Sequence, residues 1–128
     1  NGEVTVNNID TPTYYVNSVS GEQTITAVDT WFHVVVTTAT GINVNDMDIG
    51  RLEGEIDFMD GLIDQVALWN TTFSINQVRS LYIQGRGFNV GTFGSGNLKG
   101  YWPFENNAND GSGNSHNGTN NGATYTGS

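Results

Sequence analysis

Gly61-Leu-Ile-Asp-Gln-Val-Ala-Leu-Trp69, followed closely by Ser74-Ile-Asn-Gln-Val-Arg-Ser-Leu-Tyr82, is the most informative part of this chain. The first stretch places apolar residues on both faces of an alternating pattern, which predicts a buried β-strand. The second predicts a helix, because Ser74 is a suitable N-cap and Gln77 completes a capping box. Gly85 follows where a left-handed residue ends a helix. We therefore expect one strand that leads into one short helix.

Other stretches predict further short strands, separated by turns rich in Gly, Asn, Asp and Pro. Residues 31–38 are the strongest of them, because their β-branched run is apolar on both faces. The remaining predicted strands are 4–6, 14–16, 24–28, 98–104 and a segment that leads from residue 49 through 58. Many short strands with a single helix near 74–84 predict an all-β fold, an antiparallel two-sheet β-sandwich of the jelly-roll type.

The composition excludes several classes of function. Of the 128 residues, 13 are acidic and 4 are basic, which gives a formal net charge of −9 at pH 7. Nucleic-acid phosphates attract basic surfaces, and no apolar stretch approaches the roughly 20 residues of a membrane span, so we expect no nucleic-acid partner and no membrane insertion. The absence of cysteine excludes disulfides, thiol catalysis and cysteine-ligated zinc. The chain begins with Asn-Gly-Glu rather than Met, and we expect a processed product or a fragment.

Four stretches carry motifs of one known superfamily. Residues 31–37, Trp-Phe-His-Val-Val-Val-Thr, are similar to a Trp-x-His-Val-Ala-Val-Thr strand, and residues 58–66 to a Phe-x-Gly-x-Ile-Asp-x-Val run. The 74–82 helix matches the closing helix of such domains. Residues 101–119 match their opening, Tyr-Trp-x-Phe, Asp-x-Ser-Gly-Asn and Asn-Gly-Thr. The chain thus resembles the laminin-G-like, concanavalin A-like jelly-roll superfamily, which includes lectins, adhesion modules, virion proteins and glycosidases, so the resemblance implies a fold rather than one function.

The order of these motifs is inverted, because the opening motif follows the closing helix. This order predicts a laminin-G-like sandwich over residues 1–96 and the opening strand and Asn/Gly-rich loop of a sandwich over 97–128. The second segment would belong to a following tandem domain, to a permuted form of the same domain, or to a neighbouring copy of the chain. We favour a tandem boundary or the completion of a neighbouring subunit.

The titratable residues give little support for catalysis. His33 lies between apolar neighbours and is expected to be structural and hydrogen-bonded, since a lone histidine forms no catalytic triad. Glu53, Glu55 and Asp57 alternate, which would place three carboxyls on one face of a strand, as the paired acids of a glycosidase require. The spacing is compatible, but the motif departs from that of the superfamily's glycosidases and Phe58 is the one aromatic residue beside it, so we expect solvent-facing acids. The chain is predicted not to be an enzyme, with glycoside hydrolysis as a remote alternative.

Calcium is the predicted cofactor, if there is one. Asp110, Ser112 and Asn114 offer side-chain oxygens at alternate positions, with glycines that allow the backbone to curve, and Ca²⁺ prefers hard oxygen ligands. The superfamily resemblance implies a calcium near this loop. Asp64 is a further candidate ligand, and a hydrogen-bonded Asp64 that braces a turn is the alternative. The alternative explanation for the negative charge is that the acidic residues keep the protein soluble and bind no metal.

Aromatic side chains provide the candidate ligand site. Trp31 and Trp102 are expected in the core because of their strand positions. Tyr15 and Trp69 are the expected exposed platforms for stacking on a sugar, and Asn70 adds a hydrogen-bonding group beside Trp69.

These features predict a non-catalytic recognition or adhesion module that contacts a glycan or protein partner. Its expected location is extracellular, at a cell surface or in a virion. The alternative is a structural assembly unit, such as a virion decoration, fibre or surface filament, completed by strand exchange with neighbouring copies of the chain.

Overall fold

The computed structural model describes residues 2–51 and 57–126. In this part of the chain β-strands are the main regular structure, one short helix is present, and the strands form three small antiparallel sheets. The fold is therefore all-β with a short helix, as predicted, while the two-sheet sandwich remains a prediction. The elements, in chain order, are β1 (Gly2–Glu3), β2 (Thr13–Val16), β3 (Val19–Ser20), β4 (Thr24–Ile25), β5 (Val34–Thr37), β6 (Val66–Trp69), α1 (Ile75–Ile83) and β7 (Leu98–Trp102).

The chain divides into two compact units, each built from two separated segments. Unit 1 comprises Asn1–Ile42 and Thr71–Phe88, and unit 2 comprises Asn43–Asn70 and Asn89–Ser128. Unit 1 therefore contains β1 to β5 and α1, whereas unit 2 contains β6 and β7. The predicted division into 1–96 and 97–128 follows the order of motifs rather than these units, and it remains a prediction.

In unit 1, β2 is the central strand of a three-stranded sheet, between β3 and β5. Asn17 and Ser18 join β2 to β3 with φ angles of 48° and 65°, the two positive values that a tight type I′ hairpin turn requires. The backbone N–H of Asn17 donates to the carbonyl of His33, and the Asn17 side chain accepts from the His33 N–H. The central position of β2 buries Tyr15 and Val16.

Helix α1 forms as its sequence signals predict. The Ser74 side chain accepts from the Gln77 backbone N–H, and the Gln77 side chain accepts from the Ser74 N–H, which completes the capping box. Val78 and Leu81 are buried on one face of the helix. Gly85 follows the helix with a φ of 77°, which a residue without Cβ adopts at little cost.

In unit 2, β6 and β7 form an antiparallel ladder in which Val66 is opposite Trp102 and Leu68 is opposite Gly100. Tyr101 and Trp102 are buried. A bulge interrupts the ladder at the end of β6. The close approach of Trp102 explains Gly100, since a Cβ at that position would collide with the Trp102 ring.

Several predicted strands are shorter than expected. The 61–69 strand begins only at Val66, because Gln65 has a φ of 56° that breaks the extended run, and Leu62 is exposed. The 31–38 strand is limited to Val34–Thr37 and the 24–28 strand to Thr24–Ile25, while residues 4–6 form no strand. Within 49–58 the described residues contribute one bridge, Arg51 to Phe58, and 52–56 lie outside the described ranges.

No helix within residues 2–51 and 57–126 is both long and apolar enough to cross a bilayer.

Candidate functional site

The carboxylate of Asp110 is the centre of a hydrogen-bond network that joins a polar loop to β7. Its Oδ1 accepts from the backbone N–H groups of Tyr101, at 2.9 Å, and Ser112, at 2.8 Å. Its Oδ2 accepts from the Ser112 hydroxyl and from the His116 N–H, both at 2.9 Å. Burial raises the pKa of Asp110, but the hydrogen bonds from Ser112, His116 and Tyr101 outweigh it and lower the pKa to about 2.

Further bonds fix residues 108–118, which we call the Asp110 loop. The Gly111 N–H donates to the carbonyl of Tyr101 at 2.7 Å, and the Trp102 indole N–H donates to the carbonyl of His116 at 2.9 Å. The side-chain amide of Asn114 donates to two carbonyls of β7, those of Leu98 and Lys99, each at 3.2 Å. A loop of Asn, Gly and Ser is thus ordered by hydrogen bonds to a strand rather than by apolar burial.

The predicted calcium ligands Asp110, Ser112 and Asn114 lie together, and their side chains are hydrogen-bonded to one another and to the backbone. An ionised carboxylate offers about four acceptor sites, and four N–H or O–H donors already point at that of Asp110. The Ser112 hydroxyl and the Asn114 amide likewise act as donors here. In the part of the chain that the structure describes, no three or more His, Cys, Asp or Glu side chains converge as metal ligands. Calcium remains a prediction, and a cation at Asp110 would have to compete with the four donors that its carboxylate already accepts from.

Asp64 lies near the same strand but acts on a different part of it. Burial raises the pKa of the Tyr101 hydroxyl, and the negative charges of Asp64 and Glu105 add to this effect. The Tyr101 hydroxyl donates to Gln65 at 2.9 Å, whereas Asp110 holds the Tyr101 backbone N–H. The structure thus associates Asp64 with the phenol of Tyr101, and Asp110 with its backbone.

The three predicted ligand-binding residues do not form an exposed platform. The prediction that Tyr15 is exposed is wrong, because the central strand of the unit 1 sheet leaves its side chain only 7% exposed. Trp69 is half-buried, and its indole N–H donates to the carbonyl of Phe93 at 2.7 Å. Asn70 is exposed, and its backbone N–H donates to the carbonyl of Asn97.

The exposed indole of the chain belongs instead to Trp31. The expectation that Trp31 packs in the core is wrong, because β5 begins only at Val34 and the Trp31 side chain is 42% exposed. The guanidinium carbon of Arg86 lies 4.5 Å from the centroid of the Trp31 ring, a cation–π geometry. Trp102, in contrast, is buried as predicted.

A second aromatic contact joins the same two segments of unit 1. The rings of His33 and Tyr82 are 5.7 Å apart between centroids, with an interplanar angle of 47°. Residues 31–33 and 82–86 therefore lie side by side. We call the four side chains of Trp31, His33, Tyr82 and Arg86 the Trp31 surface.

His33 differs from the hydrogen-bonded histidine that the sequence predicted. Its backbone is bonded to Asn17, but its buried Nδ1 has no hydrogen-bond partner among the described residues. Burial lowers the pKa of His33, so the ring is neutral at pH 7. The Trp31 surface therefore carries one cationic group, Arg86, beside a neutral imidazole.

Of the three acids that the glycosidase alternative requires, the structure describes one. Glu53 and Glu55 lie outside the described residues, and Asp57 is exposed. The alternative stays untested by the geometry.

The sequence signal for the Trp31 surface was present but weak. Residues 29–33 carry no strand in the structure, and Asp29, with a φ of 55°, interrupts the extended backbone just before Trp31. An Asp so close to the tryptophan indicates a turn as readily as a strand.

Compared with protein-family models, curated proteins and solved structures, the chain matches none of them. Function is therefore inferred from the residues themselves.

Proposed function

We propose that this chain is a non-catalytic recognition module that binds a neutral glycan through the Trp31 surface. The observation that carries the proposal is the 42% exposed indole of Trp31 with the Arg86 guanidinium 4.5 Å from its ring centroid. A sugar ring has an apolar C–H face and a rim of hydroxyl groups. The indole suits the first, and the planar N–H donors of a guanidinium suit the second.

An exposed Trp31 contributes less to folding stability than a buried one would, so a purely structural role does not explain its position. A buried tryptophan contributes a large apolar area to a core, whereas an exposed cation–π pair contributes only about 0.5–1 kcal/mol. Tyr82 and Ile83, which are consecutive residues of α1, are 39% and 78% exposed. Clustered apolar groups at a protein surface are typical of interaction sites.

The charge of the chain favours a neutral ligand over an anionic one. The formal net charge is −9, so the long-range field repels sulfated or carboxylated glycans. Arg86 supplies local hydrogen-bond donors, but one cation does not reverse the field of the whole chain. A peptide partner remains the alternative ligand class, since exposed aromatic and arginine side chains also serve protein interfaces.

The proposal extends to fold and location. We propose the two-sheet jelly-roll sandwich and an extracellular, cell-surface or virion setting. Both are supported by the resemblance of residues 31–37, 58–66 and 101–119 to the laminin-G-like superfamily.

Glycan-array binding of the full chain tests the proposed function. We expect a set of neutral saccharides to bind, and we expect Trp31→Ala to weaken that binding by about tenfold or more, since the change removes the stacking surface. Trp69→Phe is the matched control, because it alters a half-buried tryptophan of unit 2 and should leave binding unchanged. Circular dichroism confirms that both variants are folded. Absence of glycan binding by the wild-type chain, or equal binding by Trp31→Ala, would contradict the proposal.

A second candidate function, assembly with copies of the same chain, is favoured by one observation in unit 2. The sheet of β6 and β7 has two strands in the described part of the chain, so each strand has an edge without a strand partner there. Such edges are templates for pairing with another chain, and isolated two-stranded sheets are marginally stable. Analytical ultracentrifugation separates the candidates, because assembly requires a mass that increases with concentration and a monomer at all concentrations excludes it.

A further inference from the structure

Two Asn-Gly dipeptides near the C-terminal end have the same sequence but different surroundings. Asn117-Gly118 belongs to the Asp110 loop, and Asn121-Gly122 follows it. All four residues are exposed. A third pair, Asn1-Gly2, includes a residue outside the described ranges. Differences in reactivity between the two described pairs must therefore come from hydrogen bonding rather than from solvent access.

Asn-Gly is the dipeptide in which an asparagine side chain reacts most readily with its own backbone. The backbone nitrogen of the glycine attacks Cγ of the asparagine and loses its proton. A new C–N bond forms, the bond to the side-chain nitrogen breaks, and ammonia leaves. Water then opens the cyclic imide to aspartate or isoaspartate. Glycine favours the reaction because a residue without Cβ lets the backbone reach the required geometry.

Asn117-Gly118 is held in a geometry that opposes this reaction. The Asn117 side-chain oxygen accepts from the Asp110 N–H at 3.0 Å, which fixes the carbonyl that would be attacked. The nucleophile is fixed as well, because the Gly118 N–H donates to the carbonyl of Ala108 at 2.8 Å. Both bonds must open before the glycine nitrogen can approach Cγ.

Asn121-Gly122 has no comparable restraint. The Asn121 side chain makes no hydrogen bond within residues 2–51 and 57–126. The Gly122 N–H is bonded only to the Asn120 side chain, at 3.0 Å, in a local turn that also includes Ala123. Opening this turn breaks no strand contact. Gly122 has a φ of 118°, a backbone conformation that glycine leaves at little cost.

We propose that Asn121 is a site of spontaneous deamidation in the folded protein, whereas the Asp110 loop protects Asn117. The modification replaces an amide by a carboxylate and so adds one negative charge to a chain of formal net charge −9. It uses only water, and it is independent of the Trp31 surface.

Peptide mapping by mass spectrometry during incubation of the full chain at neutral pH tests the proposal. We expect Asn121 to convert at least about tenfold faster than Asn117, since reaction at Asn117 requires local opening of the loop. In urea that unfolds the chain, the two sites should react at similar rates. Equal rates in the folded protein, or faster reaction at Asn117, would overturn the proposal.

Two variants sharpen this test. Asn121→Gln should remove the fast reaction and leave Asn117 unchanged. Asp110→Ala removes the centre of the loop, and we expect the rate at Asn117 to increase toward the rate at Asn121. If Asp110→Ala does not fold, the comparison of folded and urea-unfolded wild type still decides the question, because protection by the loop must disappear on unfolding.

Discussion

The Asp110 loop and the Trp31 surface differ in residue composition and in how fully their polar groups are hydrogen-bonded. The loop consists largely of Asn, Gly, Ser and Asp, yet Asp110 alone accepts four hydrogen bonds and the loop is fixed to β7. The Trp31 surface consists of aromatic side chains and an arginine, yet Trp31 is 42% exposed and His33 Nδ1 has no hydrogen-bond partner among the described residues. Hydrogen-bond satisfaction in these two regions therefore does not follow their apolar content.

This contrast separates two roles. The Asp110 carboxylate already accepts four hydrogen bonds from within the chain, so we expect its main role to be structural. Trp31 is exposed and the Nδ1 of His33 has no hydrogen-bond partner among the described residues, which is why we propose the Trp31 surface for recognition. Substitutions in the two regions should accordingly affect stability and binding to different extents.

The largest expected effect is loss of the Asp110 carboxylate. We expect Asp110→Ala to reduce the free energy of unfolding by about 2–4 kcal/mol, because it leaves several backbone N–H groups without an acceptor. Asn109→Ala is the matched control, since that side chain makes no hydrogen bond in the described part of the chain. Urea denaturation measures both, and equal stability of the two variants would show that the network is not stabilising.

The same titration tests the calcium prediction. A bound cation that stabilises the folded state would make the wild-type midpoint fall when a chelator is added. An unchanged midpoint would contradict the calcium prediction and leave Asp110 with its donors as the organiser of the loop.

A smaller effect is expected from Gly100→Ala. The added methyl would collide with the ring of Trp102, and the buried ring, whose N–H donates to the His116 carbonyl, would have to shift. We expect a loss of about 1–3 kcal/mol, as is typical of overpacking. Gly96→Ala is the control, because a Cβ at that position meets no atom within 4 Å. If thermal unfolding shows the same stability for both variants, the close packing of Trp102 on Gly100 is wrong.

The smallest effect is a pH dependence that arises from His33. Because burial lowers the folded-state pKa of His33 below its ordinary 6.5, protonation favours the unfolded chain. Stability should be independent of this group above pH 6.5 and should decrease as the pH falls below that value. His33→Phe retains a ring next to Tyr82 and should flatten this part of the curve. Parallel curves for wild type and variant, from urea midpoints at each pH, would exclude His33 as the cause.

Asp110 also makes folding stability decrease as the pH falls, but its effect begins at a lower pH than that of His33. Its folded-state pKa of about 2 is below the ordinary 3.8, so its stabilising contribution is complete above 3.8 and is lost as the pH falls toward 2. The His33 effect begins below pH 6.5 and the Asp110 effect below pH 3.8, so one acid titration follows the onset of both.

Local signals in the sequence predicted α1 and β7 well. The capping box of Ser74 and Gln77 and the left-handed Gly85 depend on residues only a few positions apart, so the pattern alone is sufficient. The sequence did not predict β3 or its hairpin with β2, although the turn at Asn17 and Ser18 is equally local.

Contacts between distant residues account for what the sequence did not predict. β6 begins late because Gln65 turns to accept from the Tyr101 hydroxyl and the Val90 N–H, which are 36 and 25 residues away. The donors around Asp110 include the backbone N–H of Tyr101, which no spacing rule identifies, while the calcium prediction for this loop stays untested. Trp31 was placed in the core because its pattern continues into β5, although the regular strand begins only at Val34.

The division of unit 1 into two separated segments has a consequence for synthesis on the ribosome. All five strands of that unit are translated before residue 43, but the helix that belongs with them lies in Thr71–Phe88. The strands of unit 1 therefore cannot pack with their helix until residues 43–70 have been translated and the helix has emerged. During that interval the strands lack the apolar helix face formed by Val78 and Leu81. We expect a chaperone of nascent chains to bind the apolar surface that is exposed at this stage.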